Sequence, residues 1–375
     1  MTKIVYYFLI CVTSVGGVGC VSDHNSNSTG NDFTLLWEYE YAGQPEGLSL
    51  VQLKPEIIRS NHIVISPDRL LTCLNPKNGK VSWQDSLPDN AWVSNKALLY
   101  DSINIYTKIH KQNKIQARSI STGSLIWEQI NPYGGFFDFV NDAIDETSIY
   151  LTGDDPTVYI YTKEGQYQEQ VKLEHKGRSL LRNNDNLYIS QAWRPENSEY
   201  SAGSIIAYDT EKVQKLWEYQ TDKGGFYDAP IIIQNDILFG GTTEGPGLFI
   251  ALDKYTGEPL WQKELVTWKF VMSDSGDTIF INNSLELVTL DSNTGKELWR
   301  TDFGVGDATD NIAYLNGYLY HSHGTALYIL DAATGEIVHK EVAPPDGSFF
   351  VNVAAANGRV FAMSNYHLYA YDAWK

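Results

Sequence analysis

The chain has 375 residues, 43% apolar and 20% charged, with 24 Tyr, 14 Phe and 10 Trp, a composition that favours strands and brings much aromatic surface to bury. Its formal charge of −18 opposes the phosphate neutralisation on which nucleic-acid affinity rests, and no Lys/Arg cluster offsets it, so nucleic acid is excluded as a partner. Length alone suggests two domains or more, but repeats escape that prior and are sought first.

The opening "MTKIVYYFLICVTSVGGVGC" has Lys3, an apolar run from Ile4 and small residues leading to Cys20, the layout of an export signal and too short for a spanning helix. "SDHNSNSTGND" follows and reads as a flexible tether. The expected boundaries are a signal over 1–19, Cys20 and tether over 20–33, and a folded body over 34–375. The segment resembles a bacterial lipoprotein signal, which implies cleavage before Cys20 and its acylation; Gly19 fits that pattern and Gly17, where Leu is usual, departs from it, so plain signal-peptidase cleavage stays open. Acylation with several chains would hold the protein stably at a membrane. With Cys11 lost and Cys20 modified, Cys73 is the remaining thiol, read as a small buried residue.

Downstream, nine-residue units such as "DSNTGKELW" begin at Asn75, Ser119, Tyr161, Asp209, Asp253, Asp291, Asp331 and Asp372. Eight residues after the first seven stand Trp83, Trp127, Glu169, Trp217, Trp261, Trp299 and His339, while Trp37 in "TLLWEYEY" has no unit start before it. The two incomplete halves complete each other. Each period carries two more strands ahead of the unit, as in "TIFINNSLELVTLD", so a period of roughly 42 residues holds four strands, the size of a propeller blade. The Thr-Gly step turns the chain between third and fourth strands, with Val213 breaking the glycine pattern. Two residues before each unit stand Cys73, Ala117, Tyr159, Ala207, Ala251, Thr289, Ile329 and Ala370, and each Trp is expected to pack into the neighbouring blade's small-residue gap. The fold class is therefore all-β: an eight-bladed β-propeller with four-stranded blades, closed by the N-terminal strand completing the C-terminal blade.

The pattern Ala251-Leu252-Asp253, Thr256-Gly257, Trp261 resembles the tryptophan-docking repeat of the PQQ-like propeller family, with five good copies and three degraded ones over the mature chain. One branch of that family, the quinoprotein dehydrogenases, holds pyrroloquinoline quinone over calcium with an adjacent Cys-Cys disulfide, a pair absent here. Length, signal and blade count resemble the other branch, the BamB-like lipoproteins of outer-membrane β-barrel assembly. That resemblance implies no enzyme activity, no cofactor, a monomer on the periplasmic side of a bacterial outer membrane, and a barrel-assembly protein as partner. It also points to Arg178 in "HKGRSLL" and Asp228 ahead of Pro230 in "YDAPIII" as partner contacts, although Glu174-His175-Lys176 depart from the family's flanks.

Nine residues past each Trp-column position lie Glu46, Trp92, Phe136, Arg178, Phe226, Phe270, Ala308 and Ser348, the last beside Phe349, in loops from one blade's outer strand to the next blade's inner strand. Loop aromatics and Arg suit partner binding, so Trp92, Phe136, Phe226 and Phe270 join Arg178 and Asp228 as candidates; capping of the layer between blades is the alternative. His321 and His323 share a strand face at a spacing compatible with metal binding, but no third ligand is in view and ordinary packing is favoured. "WRPENSEYSAG" lengthens one loop between Trp193 and Gly203. No Ser-His-Asp order, phosphate loop or paired-carboxylate motif stands out. The expectation is a membrane-tethered binding scaffold; a quinone-dependent oxidoreductase and a carbohydrate or cell-wall binder are the rivals.

Overall fold

Where an acid opens the unit, it organises the turn behind it. Asp253 Oδ1 accepts hydrogen bonds from the Tyr255 amide (2.9 Å), the Thr256 amide (2.9 Å) and the Thr256 hydroxyl (3.2 Å), and Asp291 and Asp331 repeat the set. Gly257 closes the turn by donating its N–H to the Asp253 carbonyl at 2.9 Å. The chain reverses there into the fourth strand.

The computed structural model describes residues 21–23, 33–41, 55–58, 62–66, 70–87, 93, 98–109, 112–136, 141–227, 229–304, 308–343 and 350–375. Every element among them is a strand. The strands form eight antiparallel sheets, beginning with Glu56–Ile58, His62–Ile65, Leu70–Leu74 and Val81–Ser86, and ending with Asn352–Ala356, Arg359–Met363, His367–Asp372 and the N-terminal Leu35–Glu40. Inner strands touch between the second and third, third and fourth, sixth and seventh, and seventh and eighth blades, and Asn352–Ala356 of the eighth blade touches Glu56–Ile58 of the first. The result is an eight-bladed β-propeller closed as the sequence implies, with Trp37 opposite Ala370 and Tyr39 opposite Leu368. A short strand, Val21–Asp23, adds to the outer edge of that last blade inside the stretch read as tether.

The Trp column is seated differently from the expectation. The small residues are cross-strand partners within the same blade: Ala251 faces Trp261, Ala207 faces Trp217 and Cys73 faces Trp83. The neighbouring blade offers backbone instead. Trp261 Nε1 donates to the Ser292 carbonyl at 3.0 Å, and its ring covers Gly295, where an added Cβ would lie 2.5 Å from a ring carbon. Trp37 covers Gly79 and bonds the Pro76 carbonyl (3.1 Å), and Trp217 covers Gly257 and bonds the Lys254 carbonyl (3.0 Å). Each such glycine supplies both the left-handed turn and a flat seat for the indole.

The degraded copies obey the same rule. Glu169 replaces a Trp, and the turn that Trp would cover carries Val213 at φ 54°, since no ring demands the space. The third unit's turn starts at Thr162, not Tyr161, because Gly165 donates to the Thr162 carbonyl at 3.0 Å; Ile160, not Tyr159, therefore faces Glu169. His339 packs on Trp374 and Phe33, with ring centroids 5.1 and 5.7 Å away.

This double duty is testable at Gly295 and Gly358, which share a left-handed φ (68° and 74°), although nothing lies within 4 Å of a Cβ at Gly358. Alanine at either position costs the left-handed strain of about 1–2 kcal/mol. Gly295→Ala is expected to lose about 1–3 kcal/mol more by overpacking against Trp261. Equal shifts of the two urea-unfolding midpoints would remove the indole from that seat.

Candidate partner-binding face

Antiparallel order puts all interblade connections, with the loops between second and third strands, on one face of the ring. On that face the loops of the fourth and fifth blades are tied together. The Arg178 guanidinium, near the start of the inner strand Gly177–Asn183, lies 4.7 Å from the Tyr227 ring centroid. The Tyr227 hydroxyl bonds Ser201 Oγ at 2.7 Å, and the Ser201 amide donates to Glu244 at 3.2 Å, crossing to the fifth blade. Beside them the His175 and Trp193 rings stack at 3.9 Å and 11°, both half-buried, and Tyr200 is 41% exposed over Gly245. Arg194, exposed in the lengthened loop, donates to the Glu199 carbonyl at 2.6 Å and gives that loop a defined shape. The face thus offers a pinned cation and several aromatic rings, the groups that anchor protein interfaces.

The other aromatics expected in these loops sit deeper, and Phe270 lies not in a loop but in the inner strand Lys269–Met272. Phe226 and Phe270 are 1% and 2% exposed, Phe226 among Ile205, Ile231 and Leu248 and Phe270 edge-on to Phe249 at 5.0 Å. In this conformation they cap the layers between blades and present no surface to a partner. Phe136 is half-buried, edge-on to Tyr159 at 6.0 Å. Ala308 opens the strand Ala308–Leu315. Cys20, Glu46, Trp92, Asp228, Ser348 and Phe349 lie outside the described residues. Sequence reading missed Tyr227, which directly follows the column residue Phe226, and the His175–Trp193 stack, whose partners meet only through the strand register. The lengthened loop was their one signal.

A buried ion pair supports the face from within. Lys108 and Asp142 side chains, 1% and 0% exposed, meet at 2.7 Å between the second and third blades. Thr152 donates to the same carboxylate through its amide (2.9 Å) and hydroxyl (3.1 Å). Burial pushes the Lys108 ammonium down and the Asp142 carboxyl up from their ordinary values. The residue before Asp142 reaches the fourth blade: the Asn141 carbonyl accepts from the Leu180 amide at 2.7 Å, two residues beyond Arg178.

At the axis the inner strands line a cavity of about 390 Å³ with Ile57, Val271, Ile312, Val353 and Ala354 in its wall. The described residues do not fit a quinone with calcium: Glu56 and Asp274 bring carboxylates to the cavity lining, but no group of three ligating side chains forms. Cys73 is buried in a core strand opposite Trp83, with burial pushing its thiol up to about 12.

The fold and its repeats define a PQQ-like β-propeller. The chain belongs to the family described as outer membrane protein assembly factor BamB, whose model matches residues 111–267, 246–310 and 284–375. Among solved structures it is similar to BamB from Moraxella catarrhalis (14% identity, TM-score 0.65, 91% of this chain and 98% of that one). It is also similar to the computationally designed Ika8 protein (12% identity, TM-score 0.69, 89% and 98%), and at these identities both likenesses speak to fold alone. No curated protein matches the sequence.

Proposed function

We propose that this chain is a non-enzymatic scaffold, lipid-anchored through Cys20 on the periplasmic side of an outer membrane, that binds a protein of the barrel-assembly machinery. Membership of the BamB family carries the reading. The pinned Arg178–Tyr227 pair on the loop face of two adjoining blades supports it, because a cation already held against a ring loses little freedom on docking. Asp228 belongs to the same proposal from its place in the sequence, next to Tyr227.

The test is affinity capture from native membranes with partner identification. Arg178→Ala with Asp228→Ala is expected to abolish capture, since stripping one side of a desolvated charged contact typically costs 2–5 kcal/mol, or about 30- to 5,000-fold. Folding should lose only about 1 kcal/mol with the cation–π contact. Glu258→Ala with Lys296→Ala, exposed in Thr-Gly turns of the opposite face, should bind normally. Capture lost only in the second pair would assign the face backwards, and capture by every variant would remove the two residues from the interface.

A further inference from the structure

Two buried imidazoles in the seventh blade lack hydrogen-bond partners among the described residues at three of their four ring nitrogens. His321 and His323 are 1% and 5% exposed at the end of the strand Tyr318–His323, facing the seam with the sixth blade. The Phe303 ring lies 4.9 Å from the first and 5.4 Å from the second. His321 Nδ1 and both ring nitrogens of His323 make no hydrogen bond among the described residues. Ordinary packing supplies partners to buried polar atoms in the great majority of cases, and leaving one unmade costs roughly 1–3 kcal/mol. A solvated surface pair, conversely, would be exposed. Neither account of these histidines fits, and an ion is one of the occupants that such orphaned groups imply.

An unbonded imidazole nitrogen is the atom a metal ion takes, and each ring brings at least one to this seam. The ring centroids are 5.9 Å apart. With metal–nitrogen distances of about 2.0–2.1 Å, an ion sits about 3.2 Å from an imidazole centroid and reaches two rings up to about 6.4 Å apart. His323 ends its strand beside Gly324 and the exposed Thr325, so the seam is approached from the loop face, and the negative chain attracts cations to it.

We propose that His321 and His323 form a bidentate site for one divalent transition-metal ion of the zinc type, with water completing its coordination. Neutral imidazoles select zinc, copper or nickel over calcium or magnesium, which prefer oxygen donors. The site is independent of the partner-binding reading, since it lies three blades away from Arg178.

The test begins with full-length protein stripped by chelator and titrated with Zn²⁺ by calorimetry. One ion per chain is expected, with the imidazole ¹⁵N resonances of His321 and His323 shifting on binding and those of the other histidines unmoved. His321→Gln and His323→Gln should each weaken binding at least tenfold, and His62→Gln should leave it unchanged. Because His321→Gln could fail to fold, the wild-type resonances decide the matter alone. No stoichiometric uptake, or shifts confined to other histidines, an adventitious ion only, would overturn the site.

Discussion

A chain lacking Leu35–Tyr39 is expected to lose its cooperative fold, not merely some stability. The deleted strand supplies the whole fourth position of the last blade, and Trp37 and Tyr39, 1% and 2% exposed, pack with Ile63, Ile65, Phe361 and Met363 across the seam between last and first blades. Trp37 Nε1 and the Arg359 guanidinium converge on one carbonyl, that of Pro76, so the strand also orders the first blade's turn. Truncating one buried aromatic costs about 3–5 kcal/mol, against a total stability of about 5–15 kcal/mol. Removing two such residues and a strand ladder exhausts that margin and leaves His367–Asp372 as an unpaired edge open to association. Circular dichroism and size-exclusion chromatography should show early melting and aggregates. Trp37→Ala alone should fold, at a loss of about 3–5 kcal/mol. A truncated chain that melts and elutes like the full one would mean that the ring does not depend on its N-terminal strand.

The ring was readable because its rule is local and repeated. Asp, Thr-Gly and Trp each do one job at a fixed offset, so even the half unit at Asp372 and the stray Trp37 could be matched. Neighbour relations across blades were less legible. The pattern sends Trp261 to a small-residue gap in the next blade, yet Ala251 is its own blade's strand partner and the next blade presents Gly295. The start at Tyr161 was one residue early, since a turn shortened by one leaves the side-chain types almost unchanged. An offset in sequence says nothing of depth, which is why Phe226 and Phe270 read as loop anchors and prove to be core, Phe270 on a strand. His321 and His323 were read as packing for want of a third ligand, and their missing hydrogen bonds became visible only with the surroundings in place.

Breaking the Lys108–Asp142 pair should give the largest loss from any single polar substitution, and it tests whether the loop face is held from within. No sequence motif announces the pair, whose members are drawn from different blades. Both charges are out of water, so their mutual attraction and the two Thr152 hydrogen bonds offset a desolvation cost that neither could bear alone. Asp142→Ala leaves a buried ammonium and an orphaned Thr152 amide, at an expected cost of about 3–5 kcal/mol. Replacing both, Lys108→Met with Asp142→Leu, removes the charge along with its partner and should recover much of that loss, as buried pairs exchanged for apolar side chains often do. The second readout is functional. Asn141, next to Asp142, pairs with the inner strand that bears Arg178, so Asp142→Ala should also slow amide-exchange closure there and raise exchange at Leu180, whose N–H bonds the Asn141 carbonyl. A double-mutant cycle by urea unfolding, with hydrogen exchange at Leu180, measures both effects. Additive single losses would show that the two charges are not coupled, and unchanged exchange at Leu180 would show that the pair does not hold the loop face.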